Sequence, residues 1–152
     1  MQITVADQAV LDTVAALRDP IIDRTIAWAN INSGSHNAEG LQRVLAALES
    51  EAGKLDASVV RVPTRGSTTV MDDGSVAAVA HADALTITAR PQAPVQVVMT
   101  GHYDTVFPSD SGFQSVITRS DGALNGPGVA DMKGGISVLL AALAAFDTHP
   151  DK

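Results

Sequence analysis

The stretch VVMTGHYDTVFP, residues Val97 to Pro108, runs from apolar side chains through a glycine into a histidine, a tyrosine and an aspartate. Its β-branched first half reads as an interior strand. Side chains two apart in a strand share a face, so His102 and Asp104 project together while Tyr103 turns away. A metal-bound imidazole commonly donates its second N–H to a carboxylate. Asp104 is placed for that role, although neighbours so close in sequence can also be oriented jointly toward one metal. An isolated His-x-Asp is frequent by chance, and a polar strand end in solvent needs no function.

Working outward, "SVVRVP" (58–63), "ALTITAR" (84–90) and "VQVVMT" (95–100) each read as a short strand. "TTVMDDGSVAAVAHAD" (68–83) contains a turn at Asp73-Gly74, but its alanines fit either class of element. "SVITRSDGALNG" (115–126) predicts a hairpin turning at Asp121-Gly122. Helical spacing runs from about Asp7 to Asn30, with a break at Asp19-Pro20, and this helix is expected to pack on a sheet. After the polar loop "INSGSHNAEG", Leu41, Val44, Leu45 and Leu48 predict an amphipathic helix over Asn37–Ala52, stopped at Gly53. A last helix over Met132–Asp147 presents Ile136, Leu139, Leu140 and Leu143 on one side. Helices before and after a sheet predict an α/β fold layered helix-sheet-helix. Ligands in such folds gather beyond the carboxyl ends of strands, where His102 and Asp104 lie.

The chain of 152 residues carries a formal net charge of -7 with its Lys and Arg scattered, which argues against nucleic acid as a partner. No apolar run is long enough to span a membrane, and no basic residue precedes Arg18, so a cytoplasmic protein without a membrane partner is expected. Without cysteine, any metal must be held by His, Asp and Glu.

A second cluster, "ALNGPGVADMKGG" (123–135), places Gly126, Pro127 and Gly128 before Asp131, then Gly134 and Gly135 in the opening turns of a helix. Asp131 could simply be a helix N-cap. Yet glycines there cost about 1 kcal/mol each relative to alanine, which predicts a close approach to this backbone, read here as that of a ligand.

The pair "VVMTGHYDTVFP" and "LNGPGVADMKGGISVLLAAL" resembles the paired motifs of the co-catalytic zinc peptidases that include glutamate carboxypeptidase, acetylornithine deacetylase, succinyl-diaminopimelate desuccinylase and aminoacylase. "WANINSGSHNAEGLQRVLAAL" is similar to the same family's early loop and helix. The resemblance implies a zinc-exopeptidase-like catalytic domain, with His102 binding one zinc, Asp131 bridging two and Asp104 orienting the histidine as a catalytic residue. It also implies a cis peptide bond at Asp131-Met132. Two divalent ions are implied, zinc first, with cobalt or manganese acceptable to the same donors.

Farther along, the family carries a Glu-Glu pair whose first member is the general base. The only glutamates here, Glu39, Glu49 and Glu51, lie before both motifs. His36, His81 and His149 read as ordinary surface residues. Residues 1–152 are therefore expected to be the N-terminal portion of one catalytic domain, incomplete at its C-terminal side, with the rest of that domain and a lid domain absent. Its uncovered sheet would invite self-association. The whole enzyme would hydrolyse an amide or peptide bond in a small N-acyl amino acid or dipeptide-like substrate with a free carboxylate. The alternatives are a biosynthetic deacetylase or desuccinylase of the same family, or a noncatalytic folded fragment with a vestigial metal corner.

Overall fold

The computed structural model describes residues 2–149. The first helix, α1 (Val5–Ala16), opens on a capping box in which Thr4 and Asp7 satisfy each other's backbone N–H. α2 (Arg18–Ala29) follows after Leu17 alone. The break falls ahead of Asp19-Pro20, because Pro20 is tolerated in the first turn of a helix, where backbone N–H groups have no helical partner. α3 (Ala38–Ala52) is capped by Asn37, whose side chain accepts from Gly40 N, and it buries Leu41, Val44, Leu45 and Leu48 on one face.

Strands β1 (Ser58–Val62), β2 (Ser67–Val70), β3 (Val76–Val79) and β4 (Ala84–Thr88) come next. β1 pairs antiparallel with β4, in register from Ser58 opposite Thr88 to Val62 opposite Ala84. β2 and β3 form the hairpin left open by the alanine-rich sequence, turning at Gly74 with φ +82. β5 (Ile117–Thr118) and β6 (Leu124–Asn125) form the hairpin expected around Asp121-Gly122. α4 (Lys133–Phe146) closes the described chain.

The result is an α/β arrangement of helices with three two-stranded antiparallel sheets, in place of one sheet layered between helices. The expected strand at 95–100 is the reason. Arg90 takes a left-handed φ of 46, and the Ala93 N–H closes a turn onto its carbonyl. The Gln96 amide then caps the carbonyls of Arg90 and Ala93. Residues 95–100 make no backbone–backbone hydrogen bond among the described residues, so no strand forms there. Val97 and Val98 are left 73% and 86% exposed.

The core gathers Trp28, Val44, Leu48, Ala52 and Leu140, with Val59, Leu85, Ile87 and Tyr103 packed against it. α1 and α2 lie on α4 rather than on a sheet, and α1 buries none of its residues. Arg24 ties three helices together. Its guanidinium pairs with Glu51 of α3, donates to the hydroxyl and carbonyl of Ser137 in α4, and lies over the Trp28 ring.

Lys133, the first residue of α4, is fully buried. Its ammonium donates to the carbonyls of Trp28 (3.0 Å) and Ile31 (2.8 Å), capping the C-terminal end of α2, where the helix dipole favours a cation. Burial alone pushes its pKa down to about 8.

Substituting Lys133→Met leaves those carbonyls without their donor and is expected to cost about 1–3 kcal/mol near neutral pH, measured by urea unfolding. Because the folded pKa lies below that of the unfolded chain, the unfolded state holds more protons between about 8 and 10.5. The burial cost is therefore fully present below this window and fades as pH rises through it. Wild-type stability relative to Lys133→Met should grow across the window; a constant difference would contradict the assignment.

Candidate metal centre

The segment carrying His102 is held by the loop that follows α2. Thr105 N donates to Ser33 O (2.8 Å) and Ser35 N to Thr105 O (3.0 Å), forming a parallel bridge between Gly34 and Thr105. Ser33 Oγ donates to Tyr103 O at 2.8 Å. Gly34 is required by close approach, since a Cβ there would lie 2.5 Å from the Phe107 carbonyl oxygen. Although residues 95–100 join no sheet, the alternation expected at 102–104 persists. Tyr103 points away to donate its hydroxyl to Asp83 O, while His102 and Asp104 face each other.

Asp131 arrives from the opposite side on the turn before α4. The N-cap of that helix is Met132, with no side-chain cap, so Asp131 does not serve as one. Gly128, at φ +78, lies against the Lys133 methylenes and the Thr105 methyl group. The Lys133 N–H donates to Gly128 O at 2.8 Å. The Asp131–Met132 peptide bond is cis. A Cβ at Gly134 would lie 2.3 Å from the Val129 carbonyl oxygen. The close approach read from the sequence as a ligand's is therefore made by the protein itself, by the Val129 backbone at Gly134 and by the Met132 side chain at Gly135.

These supports bring three side chains together. His102 Nε2 lies 2.9 Å from Asp131 Oδ1, and His102 Nδ1 lies 3.1 Å from both Asp104 Oδ1 and Asp104 O. Ser35 Oγ donates to the other oxygen of Asp104 at 2.7 Å. An ionised carboxylate only accepts hydrogen bonds, so both ring nitrogens must donate. The imidazolium is the form that satisfies this arrangement. The His102 pKa is accordingly raised, chiefly by the hydrogen bond to Asp131, against a smaller opposing effect of burial. The Asp131 side chain is 86% exposed, so the cluster opens to solvent.

The cluster borders a cavity of about 320 Å³ lined also by Thr105, Phe107, Phe113 and Gly128. The Thr105 hydroxyl is buried without a hydrogen-bond partner. His36, His81 and His149 stand outside the cluster: His36 is exposed, His81 bonds Ser67, and His149 is mostly buried against Phe146 near Asp7, so it is no surface residue of a polar tail. Glu49 pairs with Arg61 of β1, and Glu51 pairs with Arg24 of α2 and with Lys54. Among the described residues no group of three His, Asp or Glu side chains could hold a metal ion.

Ser35 and Lys133 were not singled out from the sequence. Ser35 lies 69 residues from Asp104, and nothing local to "INSGSHN" ties it to a carboxylate. Lys133 carries a weak signal, a charged residue opening an otherwise apolar helix.

A family model described as Peptidase family M20/M25/M40 matches residues 98–152, the part of the chain that carries both motifs. No curated protein matches the chain. No helix of the described residues is long and apolar enough to cross a membrane.

In metal-free protein, an NMR titration of the His102 ring is expected to give a pKa above the ordinary 6.5. Asp131→Asn should lower it, because the amide cannot stabilise the imidazolium as the carboxylate does. A His102 pKa unchanged by Asp131→Asn would show that the 2.9 Å contact does not persist in solution.

Proposed function

We propose that the chain contributes part of the site of a metal-dependent amide or peptide hydrolase of the M20/M25/M40 kind, in which His102 and Asp131 are metal ligands and Asp104 is the residue that orients the imidazole. The observation that carries this reading is the 2.9 Å approach of Nε2 to Oδ1 across 29 positions of sequence, with Asp104 behind the ring. An imidazole nitrogen and a carboxylate oxygen are both donors that a divalent ion accepts as ligands. A zinc ion bonded at about 2.0–2.2 Å to each would hold the two atoms about 3–3.5 Å apart, so the donors suit one ion in chemistry, while the 2.9 Å between them is a direct hydrogen bond that must lengthen to admit it.

They do not complete a site. A catalytic zinc takes three protein ligands, and the described residues supply this place with two. A divalent ion bound there would supply Lewis acidity and a water of lowered pKa. The chain's own contribution is narrower. His102 and Asp131 offer the donor atoms, Asp104 holds the ring by Nδ1, and Ser35 fixes Asp104 in turn. No glutamate borders the cavity to act as general base. By itself the chain is a folded unit with a partial metal corner and no hydrolytic activity. In the whole protein that corner would act on a small N-acyl amino acid or dipeptide-like substrate, with carboxypeptidase and biosynthetic deacylase chemistry both open to it.

Isothermal titration with zinc tests the reading. Wild type should bind zinc at one site, and His102→Ala and Asp131→Ala should each abolish it. Asp104→Asn should weaken it about 10- to 100-fold, as loss of an orienting acceptor does. Zinc-loaded chain should release no amine from N-acetylglutamate or glycyl dipeptides. Zinc affinity untouched by His102→Ala would overturn the ligand assignment, and turnover at stoichiometric zinc would overturn the incompleteness.

A further inference from the structure

The lining of the cavity beside His102 combines the carboxylates of Asp104 and Asp131 with the rings of Phe107 and Phe113 and the largely exposed Val106, with no Lys or Arg among the residues that line it. The two phenyl rings meet edge to face, with centroids 4.7 Å apart and planes at 62°. Both are half-buried, and neither belongs to the hydrophobic core. They stand apart from the residues that stabilise the fold.

The loop that carries them is pinned in shape. The Asn32 amide donates to Phe107 O (3.1 Å) and Gln114 Oε1 (2.9 Å), and the Gln114 amide donates to Pro108 O and Ser111 O, both at 2.9 Å. Asn32 thus grips the loop beside each phenylalanine, and the gap between rings and carboxylates is preset. Aromatic walls favour another ring or a branched aliphatic group placed edge-on or offset. Two carboxylates and the absence of a cationic side chain disfavour an anion.

Resting on the reading of the His102–Asp131 pair as the place of amide cleavage, we infer that the Phe107–Phe113 wall is a subsite for an uncharged apolar acyl or side-chain group of the substrate. The substrate's carboxylate then lies outside this cavity, on the far side of the scissile amide. Phe113 is a specificity-determining residue on this account, acting through contact with the group it selects.

Two uncharged probes that differ in the acyl group alone, N-benzoylglycinamide and N-acetylglycinamide, test this by protein-observed NMR titration with and without zinc. Wild type should bind the benzoyl probe about tenfold more tightly, a difference of about 1.4 kcal/mol. The shifts should centre on Val106, Phe113 and Gly128. Phe113→Ala should erase the preference, while Phe113→Leu, which keeps an apolar wall and reports if the alanine variant is misfolded, should retain most of it. Equal affinities, shifts centred elsewhere, a preference that survives Phe113→Ala, or binding of neither probe would each overturn the subsite. Loss of zinc binding with the preference intact would fault the metal reading alone; intact zinc binding without the preference would fault the subsite alone.

Discussion

A buried ammonium holds the two halves of the site together. Lys133 opens α4, yet its side chain runs beneath the turn that carries Asp131 and ends on the carbonyls of Trp28 and Ile31. Those carbonyls terminate α2, and the loop they begin is the one that grips Thr105 and Asp104. One side chain therefore fixes the spacing between the segment that delivers His102 and the turn that delivers Asp131. Gly128 has to be glycine beside it, because a Cβ there would lie 3.0 Å from the lysine stem and the backbone is left-handed. A charge in a core is costly unless fully bonded, and its depressed pKa expresses that cost.

The pieces placed by Lys133 make an anionic corner that calls for positive charge. The carboxylates at both ring nitrogens favour a proton on His102, whose pKa is raised chiefly by the hydrogen bond to Asp131. The same geometry accounts for the proposed exchange of that proton for a divalent ion, since the donors are oxygen and imidazole nitrogen and one of them is largely open to solvent. Asp104 meets the ring at Nδ1, with Ser35 bonded behind it, and would keep that contact with a metal on Nε2. The Phe107–Phe113 wall contributes no charge of either sign, in contrast to the carboxylates of Asp104 and Asp131 that line the same cavity.

Much of this was legible in the sequence where information is local. The heptad-like spacing of Leu41, Val44, Leu45 and Leu48 defined α3 to within one residue, and Asp121-Gly122 gave a hairpin because a turn's backbone conformation is chosen by its own residues. That His102 and Asp131 share a site was implied only by the resemblance of the two motifs to a known family, and no local rule of spacing brings them to their 2.9 Å approach. The strand expected at 95–100 failed because propensity does not choose a partner. Arg90, Ala93 and Gln96 bond among themselves there, and residues 95–100 take no strand partner. Ser35 and Lys133 were out of reach for a related reason: their meaning lies in contacts 69 and about 100 positions away, with no local pattern to announce them.

Zinc K-edge X-ray absorption on chain loaded with one equivalent of metal tests the central claim most directly, because it counts imidazoles around the ion. A single shared cation between His102 and Asp131 requires one imidazole per zinc with the remaining shell made of oxygen, and loss of that imidazole in His102→Ala. A shell with two or more imidazoles, or with none, would contradict it.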